Sequence, residues 1–180
     1  MDKQELYDEL RKEWSECKKC EIGCLARQHV LYSGPLTSKV LFVGEGPGNE
    51  EDYHGRAFVG RSGRLLRRAL IEAGFDPNRF CFTNLVACRP VDDMGHNRDP
   101  SRSEIERCRP RLLSVIGLVQ PVAIVTLGRM AQYFLPMKGQ FIKVLWLKHP
   151  SWVLRSGGEE SKAFKDYVTS LRIFLKEVNA

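Results

Sequence analysis

Hydrophobic and polar positions along the chain sort into two kinds of segment. Short apolar runs occur at Val40-Leu41-Phe42-Val43, Phe80-Cys81-Phe82, Val122-Ala123-Ile124-Val125 and Phe141-Ile142-Lys143-Val144-Leu145-Trp146-Leu147. Runs of this length that stop abruptly at glycine or polar residues predict strands buried on both faces. The stretches between them have helical spacing. Residues 2–18 carry Leu6, Leu10 and Trp14 every four residues, an apolar stripe expected to dock on the core. Residues 61–74 place Leu65, Leu66, Ala69, Leu70 and Ala73 on one side and stop at Gly74, a residue suited to a helix end. Ser101 and Glu104 are spaced as a capping box at the head of a helix over 101–118. Gly128 begins a short helix through Tyr133, and Phe164, Tyr167, Val168, Leu171 and Phe174 mark a last helix over roughly 161–177. Strands alternating with helices predict an α/β fold, a three-layer α/β/α sandwich around a central, mostly parallel four-stranded sheet.

The strand exits carry the chemistry. In open α/β sheets ligands bind outside the carboxyl ends of the strands. The first run leads into Gly44-Glu45-Gly46-Pro47-Gly48, the second into Thr83-Asn84, the third into Thr126-Leu127-Gly128, and the fourth is followed by His149-Pro150-Ser151. Glu45, Asn84, Gly128 and His149 are therefore expected around one pocket. The segment 89–100, with Pro90, Asp92, Asp93, Gly95, Asn97 and Pro100, reads as a loop.

Length and charge narrow the picture. The 180 residues, 43% of them hydrophobic, suffice for one domain with its own core, so residues 1–180 are read as a single domain. No apolar stretch approaches the length of about 20 residues that spans a bilayer, and the charged start at Asp2, Lys3 and Glu5 is unlike a signal peptide. A protein located in the cytoplasm is expected. Its net charge of +6 favours a polyanionic partner. Arg56, Arg61, Arg64, Arg67 and Arg68 form one cluster, and Arg98, Arg102, Arg107 and Arg109 a second, both beside the predicted site loops.

Six cysteines in such a compartment are poor candidates for disulfides. Cys81, between Phe80 and Phe82, reads as a core residue. Cys17 and Cys20 form a Cys-x2-Cys pair in lysine-rich sequence, and Cys88 and Cys108 lie among arginine and proline. Four thiolates can hold zinc or an iron–sulfur cluster, and their spacing alone leaves both open.

Taken in order, these signatures resemble the uracil-DNA glycosylase superfamily, and most closely its family 4, the iron–sulfur-containing branch. The resemblance runs from Cys17 to Arg155. It is carried by Cys17 and Cys20, by Gly44-Glu45-Gly46-Pro47-Gly48 with Glu51-Asp52, and by Gly55-Arg56-Ala57-Phe58-Val59-Gly60 with Gly63. It continues through Thr83-Asn84, Cys88-Arg89-Pro90, Asn97-Arg98-Asp99-Pro100, Cys108, Leu127-Gly128 and His149-Pro150-Ser151.

The resemblance implies a base-flipping enzyme of base excision repair that hydrolyses the N-glycosidic bond of uracil in DNA. It makes Gly44, Gly46, Pro47 and Gly48 the loop approaching the deoxyribose and extruded base, Phe58 the aromatic that stacks on that base, and Asn84 the reader of its edge. His149, followed by Ser151, supplies a hydrogen bond to uracil O2, and Glu45 and Glu51 are the carboxylates nearest the sugar. Val153, Leu154 and Arg155 follow the histidine turn as candidates for filling the gap in the duplex, Leu154 ahead. A 4Fe-4S cluster on Cys17, Cys20, Cys88 and Cys108 is implied, bracing a DNA-contacting loop and leaving Cys24 and Cys81 unassigned. The expected partner is uracil-containing DNA, met by a monomer without membrane contact, in a prokaryotic or phage-type setting.

Three departures stand out. Twenty residues separate Gly128 from His149, fewer than usual, and nineteen separate Cys88 from Cys108, slightly more. Cys24 occupies a one-residue insertion. They leave three alternatives: a superfamily member diverted to other modified pyrimidines in DNA, covalent trapping of uracil DNA through a histidine such as His96, and a non-catalytic DNA-binding iron–sulfur protein.

Overall fold

The computed structural model describes residues 3–135 and 142–180. In chain order its elements are α1 (Lys3–Trp14), α2 (Glu21–Leu25), β1 (Val40–Gly44), α3 (Asn49–His54), α4 (Arg61–Glu72) and β2 (Cys81–Asn84). They continue as α5 (Arg102–Val119), β3 (Ala123–Leu127), α6 (Arg129–Phe134), β4 (Lys143–Leu147), α7 (Pro150–Arg155) and α8 (Lys162–Glu177). The strands form one sheet in the order β2-β1-β3-β4, every neighbouring pair parallel.

Alternation along each strand builds the two outer layers. Val40 and Phe42 of β1, with Ala123, Val125 and Leu127 of β3, face a core closed by Leu65, Leu66, Ala69 and Leu70 of α4 and by Leu171, Phe174 and Leu175 of α8. Leu41 and Val43, with Ile124, face the opposite core beneath Leu10 and Trp14 of α1 and Leu112, Val115 and Ile116 of α5. Because successive side chains of a strand point to opposite faces, a run apolar at every position serves both cores. The expected three-layer α/β/α sandwich is observed.

Helix starts follow local chemistry. Ser101 Oγ accepts from Glu104 N–H at 3.2 Å while Glu104 Oε2 accepts from Ser101 N–H at 2.7 Å, the reciprocal pair expected from their spacing. Ser161 Oγ caps α8 by accepting from Phe164 N–H at 3.1 Å.

Some expectations change. The first helix ends at Trp14 instead of running to residue 18, and Leu6 stays 41% exposed while Tyr7, Leu10 and Trp14 face the core. The proposed helix position at Asp2 and the strand position at Phe141 lie outside the described residues. The fourth strand is not buried on both faces: Leu147 is covered, but Val144 and Trp146 remain 48% and 40% exposed. It is the sheet's edge, and the core formed by α1 and α5 includes β1 and β3 side chains but neither of these two.

Candidate active site

The parallel order brings four strand exits to one edge, where a cavity of about 550 Å³ opens. Glu45, Gly46, Pro47, Gly48 and Glu51 line it from the β1 exit and α3, and Asn84 lines it from the end of β2. Phe58 comes from the loop before α4, and His149, Ser151 and Arg155 from the β4 exit and α7. Other expected positions are not lining residues. Gly44 lies behind the wall, and Leu154 is half-buried against the α4 and α8 core. Gly128, with φ of +98°, backs the cavity: a Cβ there would overlap the Glu45 carboxylate and stand 3.3 Å from His149 Cβ.

His149 is the N-cap of α7, preceding Pro150 at the first helical position. Its Nδ1 accepts the Ser151 N–H at 3.2 Å and lies 2.8 Å from Ser151 Oγ. A ring nitrogen that accepts from a backbone N–H carries no proton, so the neutral imidazole holds its hydrogen on Nε2. Burial lowers the imidazole pKa from the usual 6.5 to about 4, the Arg155 charge pushes the same way, and Asp99 opposes both. At neutral pH the cavity therefore contains an uncharged histidine with one N–H to donate.

The two carboxylates named from sequence are held differently. Glu51 Oε1 accepts the Gly60 N–H at 2.7 Å and Oε2 accepts the Gly48 N–H at 3.2 Å, joining the two glycine loops. Glu45 Oε1 accepts one backbone donor, Met130 N–H, at 3.4 Å. Burial raises the Glu45 pKa above the usual carboxylate value, the Met130 hydrogen bond opposes, and Asp99 adds to the rise. Asp99 lines the cavity with the proline-bounded loop and was not singled out from sequence as a site residue. Its position between Pro90 and Pro100 beside the cysteine at 88 was the available signal.

Phe58 and Asn84 form the floor. Phe58 has φ of 56°, a left-handed conformation costly for a bulky residue and found chiefly where surrounding structure holds it. Arg67 Nε donates to its carbonyl at 3.4 Å, and a Cβ on Gly63 would overlap its backbone. The ring packs 5.8 Å, centroid to centroid, from Phe82. On Gly44 a Cβ would meet Asn84 Oδ1 at 2.5 Å and the Phe58 ring at 2.6 Å, so glycine there lets both side chains crowd the strand exit. Asn84 is almost wholly buried, yet among the described residues no hydrogen bond engages its side-chain amide. One donor and one acceptor therefore remain for a ligand.

Charge is distributed unevenly at the mouth. Arg61 and Arg155 line the cavity from exposed positions. Arg98 is turned inward, with Nη1 and Nη2 donating to Glu104 at 2.9 and 2.7 Å and Nε to Val91 O at 2.9 Å. Asn97 lines the cavity, whereas the exposed His96 is not a lining residue and sits 3.6 Å from Asp92.

Cys17, Cys20, Cys88 and Cys108 line a second, smaller cavity behind the first, together with Trp14 and His29. Burial raises the Cys88 thiol pKa, and its thiol neighbours Cys108, Cys20 and Cys17 raise it further, while Arg111 opposes. Burial is also the leading cause of the rise at Cys20. The Trp14 Nε1–H is buried beside them without an acceptor among the described residues. Among the described residues no three His, Cys, Asp or Glu side chains stand close enough to hold a single ion. Four thiols around one cavity form a donor set that suits a metal centre. Cys24 is exposed, and burial pushes the Cys81 thiol up to about 12, which suits an inert core residue.

Residues 31–172 match the family model of the uracil DNA glycosylase superfamily. The chain is similar to the type-4 uracil-DNA glycosylase of Sulfurisphaera tokodaii, at 34% identity over 89% of this chain and 72% of that protein. It is similar to that of Thermotoga maritima at 34% identity, covering 88% of each. It is also similar to the Archaeoglobus fulgidus protein of the same name at 35% identity over 73% of this chain, a match spanning 64% of that relative's length. No helix among the described residues is long and apolar enough to cross a membrane.

Proposed function

The chain belongs to the uracil DNA glycosylase superfamily, and on that premise we propose that it excises uracil from DNA, hydrolysing the N-glycosidic bond of an extruded nucleotide and leaving an abasic site. One observation carries the reading. His149 accepts at Nδ1 from Ser151 N–H, which leaves an Nε2–H donor in the cavity that also holds the unengaged Asn84 amide.

Extruding the nucleotide costs a few kcal/mol, least for a mispaired base. The base then lies on Phe58, and Asn84 pairs its donor and acceptor with the uracil edge. As the bond from C1′ to N1 breaks, its electrons pass to the base and negative charge grows on O2. A neutral His149 donating from Nε2 stabilises that charge, the type of contact whose removal costs 10²–10³-fold in rate. Water adds at C1′ and gives up a proton. Glu45 is assigned to receive it, because its raised pKa makes it a better base than an ordinary carboxylate. Glu51 has both oxygens committed to the Gly48 and Gly60 N–H groups and holds the loops that meet the sugar. Arg61 and Arg155 at the mouth meet phosphates.

Cys17, Cys20, Cys88 and Cys108 are proposed to hold a 4Fe-4S cluster. When bound, it supplies a rigid, negatively charged brace between the N-terminal segment and the loop after β2. The whole of residues 1–180 acts as one domain in this reading, as a monomer.

The test is a labelled oligonucleotide with one uracil, incubated with the protein, treated with alkali and run on a denaturing gel. Alkali-dependent breakage is expected. A retarded covalent band without breakage would instead support trapping, and an unchanged strand would refute excision of uracil.

A further inference from the structure

Arg111 is fully buried and touches both Asn84, which lines the first cavity, and Cys108, which lines the second. It lies on α5, one turn after Cys108. Its Nη1 donates to Leu31 O at 3.1 Å and Thr83 Oγ1 at 2.7 Å, and its Nη2 to Asn84 O at 2.7 Å and Leu85 O at 3.0 Å. Cys108 Sγ stands 3.7 Å from the same Nη2, and Nε is buried without a partner among the described residues. Among the described residues no carboxylate pairs with it.

A guanidinium stays ionised in proteins, and burying it without a counter-charge is strongly unfavourable. Carbonyl dipoles satisfy its donors but bring no net charge. A source of negative charge adjoins it in the cysteine centre, Cys108 Sγ standing 3.7 Å from Nη2, where four thiolates would outweigh the positive charge of a 4Fe-4S core. The same Nη2 that faces Cys108 holds the carbonyls of Asn84 and Leu85, where β2 ends and the base-reading amide projects. Both demands meet on one residue.

We propose that Arg111 is the counter-ion of the cysteine-bound centre and the positioning residue for Asn84, so that filling the centre sets how firmly the cavity grips its base. This rests on the cluster and the role of Asn84 given above. Lysine keeps the charge at this position but cannot reach both pairs of acceptors. Glutamine keeps some hydrogen bonding and loses the charge. The two variants therefore separate the two roles.

The experiment compares anaerobically purified wild-type protein, Arg111→Lys and Arg111→Gln. Iron per chain, the rate at which the visible absorption band is lost to a chelator, and KM and kcat on a single-stranded uracil oligonucleotide are measured. Arg111→Lys should keep iron within twofold of wild type and raise KM about tenfold with kcat within about threefold. Arg111→Gln should lose its absorption band at least tenfold faster. Wild-type protein stripped of iron provides a check that needs no variant to fold, and its KM should rise in the same direction as that of Arg111→Lys. Equal iron retention in the two variants would overturn the counter-ion role. An unchanged KM in Arg111→Lys and in stripped wild type would overturn the positioning role. A wild-type chain that excises uracil but neither contains iron nor takes it up would refute the cluster assignment, and this inference with it, leaving glycosylase activity standing.

Discussion

Replacing His149 by Asn removes one titrating group while leaving a side-chain oxygen able to accept the Ser151 N–H as the α7 cap. In the folded protein the imidazole pKa is held near 4, whereas in the unfolded chain it is 6.5. The unfolded state thus takes up the proton first. Its contribution to stability is fully present above pH 6.5 and is lost as the pH falls toward 4. Integrating the difference in bound protons gives a loss of about 2 kcal/mol by pH 5 and about 3 kcal/mol by pH 4, relative to pH 8. Urea unfolding followed by tryptophan fluorescence at pH 8, 6 and 5 measures it. Other groups titrate over the same range in both proteins, so the quantity to read is the wild-type stability minus that of His149→Asn. That difference should fall by about 2 kcal/mol between pH 8 and pH 5. Parallel profiles would show that the folded imidazole titrates normally, and the account of a neutral donor would fail.

Three further outcomes are expected. Gly63→Ala forces a Cβ against the Phe58 backbone, so thermal unfolding should show a loss of about 1–3 kcal/mol, with weaker binding of uracil-containing DNA. Glu51→Ala strips the acceptors from the Gly48 and Gly60 N–H groups and should cost about 1–2 kcal/mol in denaturant unfolding, with KM raised more than kcat is lowered. Cys24→Ala should leave iron content unchanged, whereas Cys17→Ala should lower it, as read by a colorimetric iron assay.

Legibility in the sequence depended on whether a feature is local. β1 and β3 were readable because strands flanked by helices on both faces need apolar residues at every position, and Val40–Val43 and Ala123–Val125 supply them. The helices α2, α3 and α7 went unpredicted because five or six residues are too few to display a period, and the equally short α6 was legible only through the glycine at its start. The exposed face of β4 depends on which helices reach the sheet edge, a tertiary property that Val144 and Trp146 do not announce. At the site, residues at strand exits were legible because the parallel fold dictates where they meet. Asp99 was not, because its place depends on the path of the loop over 89–100. Arg111 was also hidden: in an amphipathic helix an arginine reads as part of the polar face, and only the packed structure reveals it fully buried against Asn84, Leu85 and Cys108. Leu154, read as the candidate for filling the gap in the duplex, is half-buried against the core and does not line the cavity.

Single-turnover release of uracil from a duplex oligonucleotide bearing one U·G mispair, with DNA binding measured in parallel, is the most direct measurement. Wild-type protein should release uracil, His149→Ala should do so about 10²–10³-fold more slowly while binding DNA within a few-fold of wild type, and Asn84→Ala should need at least tenfold more protein to reach half its maximal rate. A wild-type protein that binds the duplex and releases nothing, or variants as fast as wild type, would contradict a glycosylase centred on His149 and Asn84.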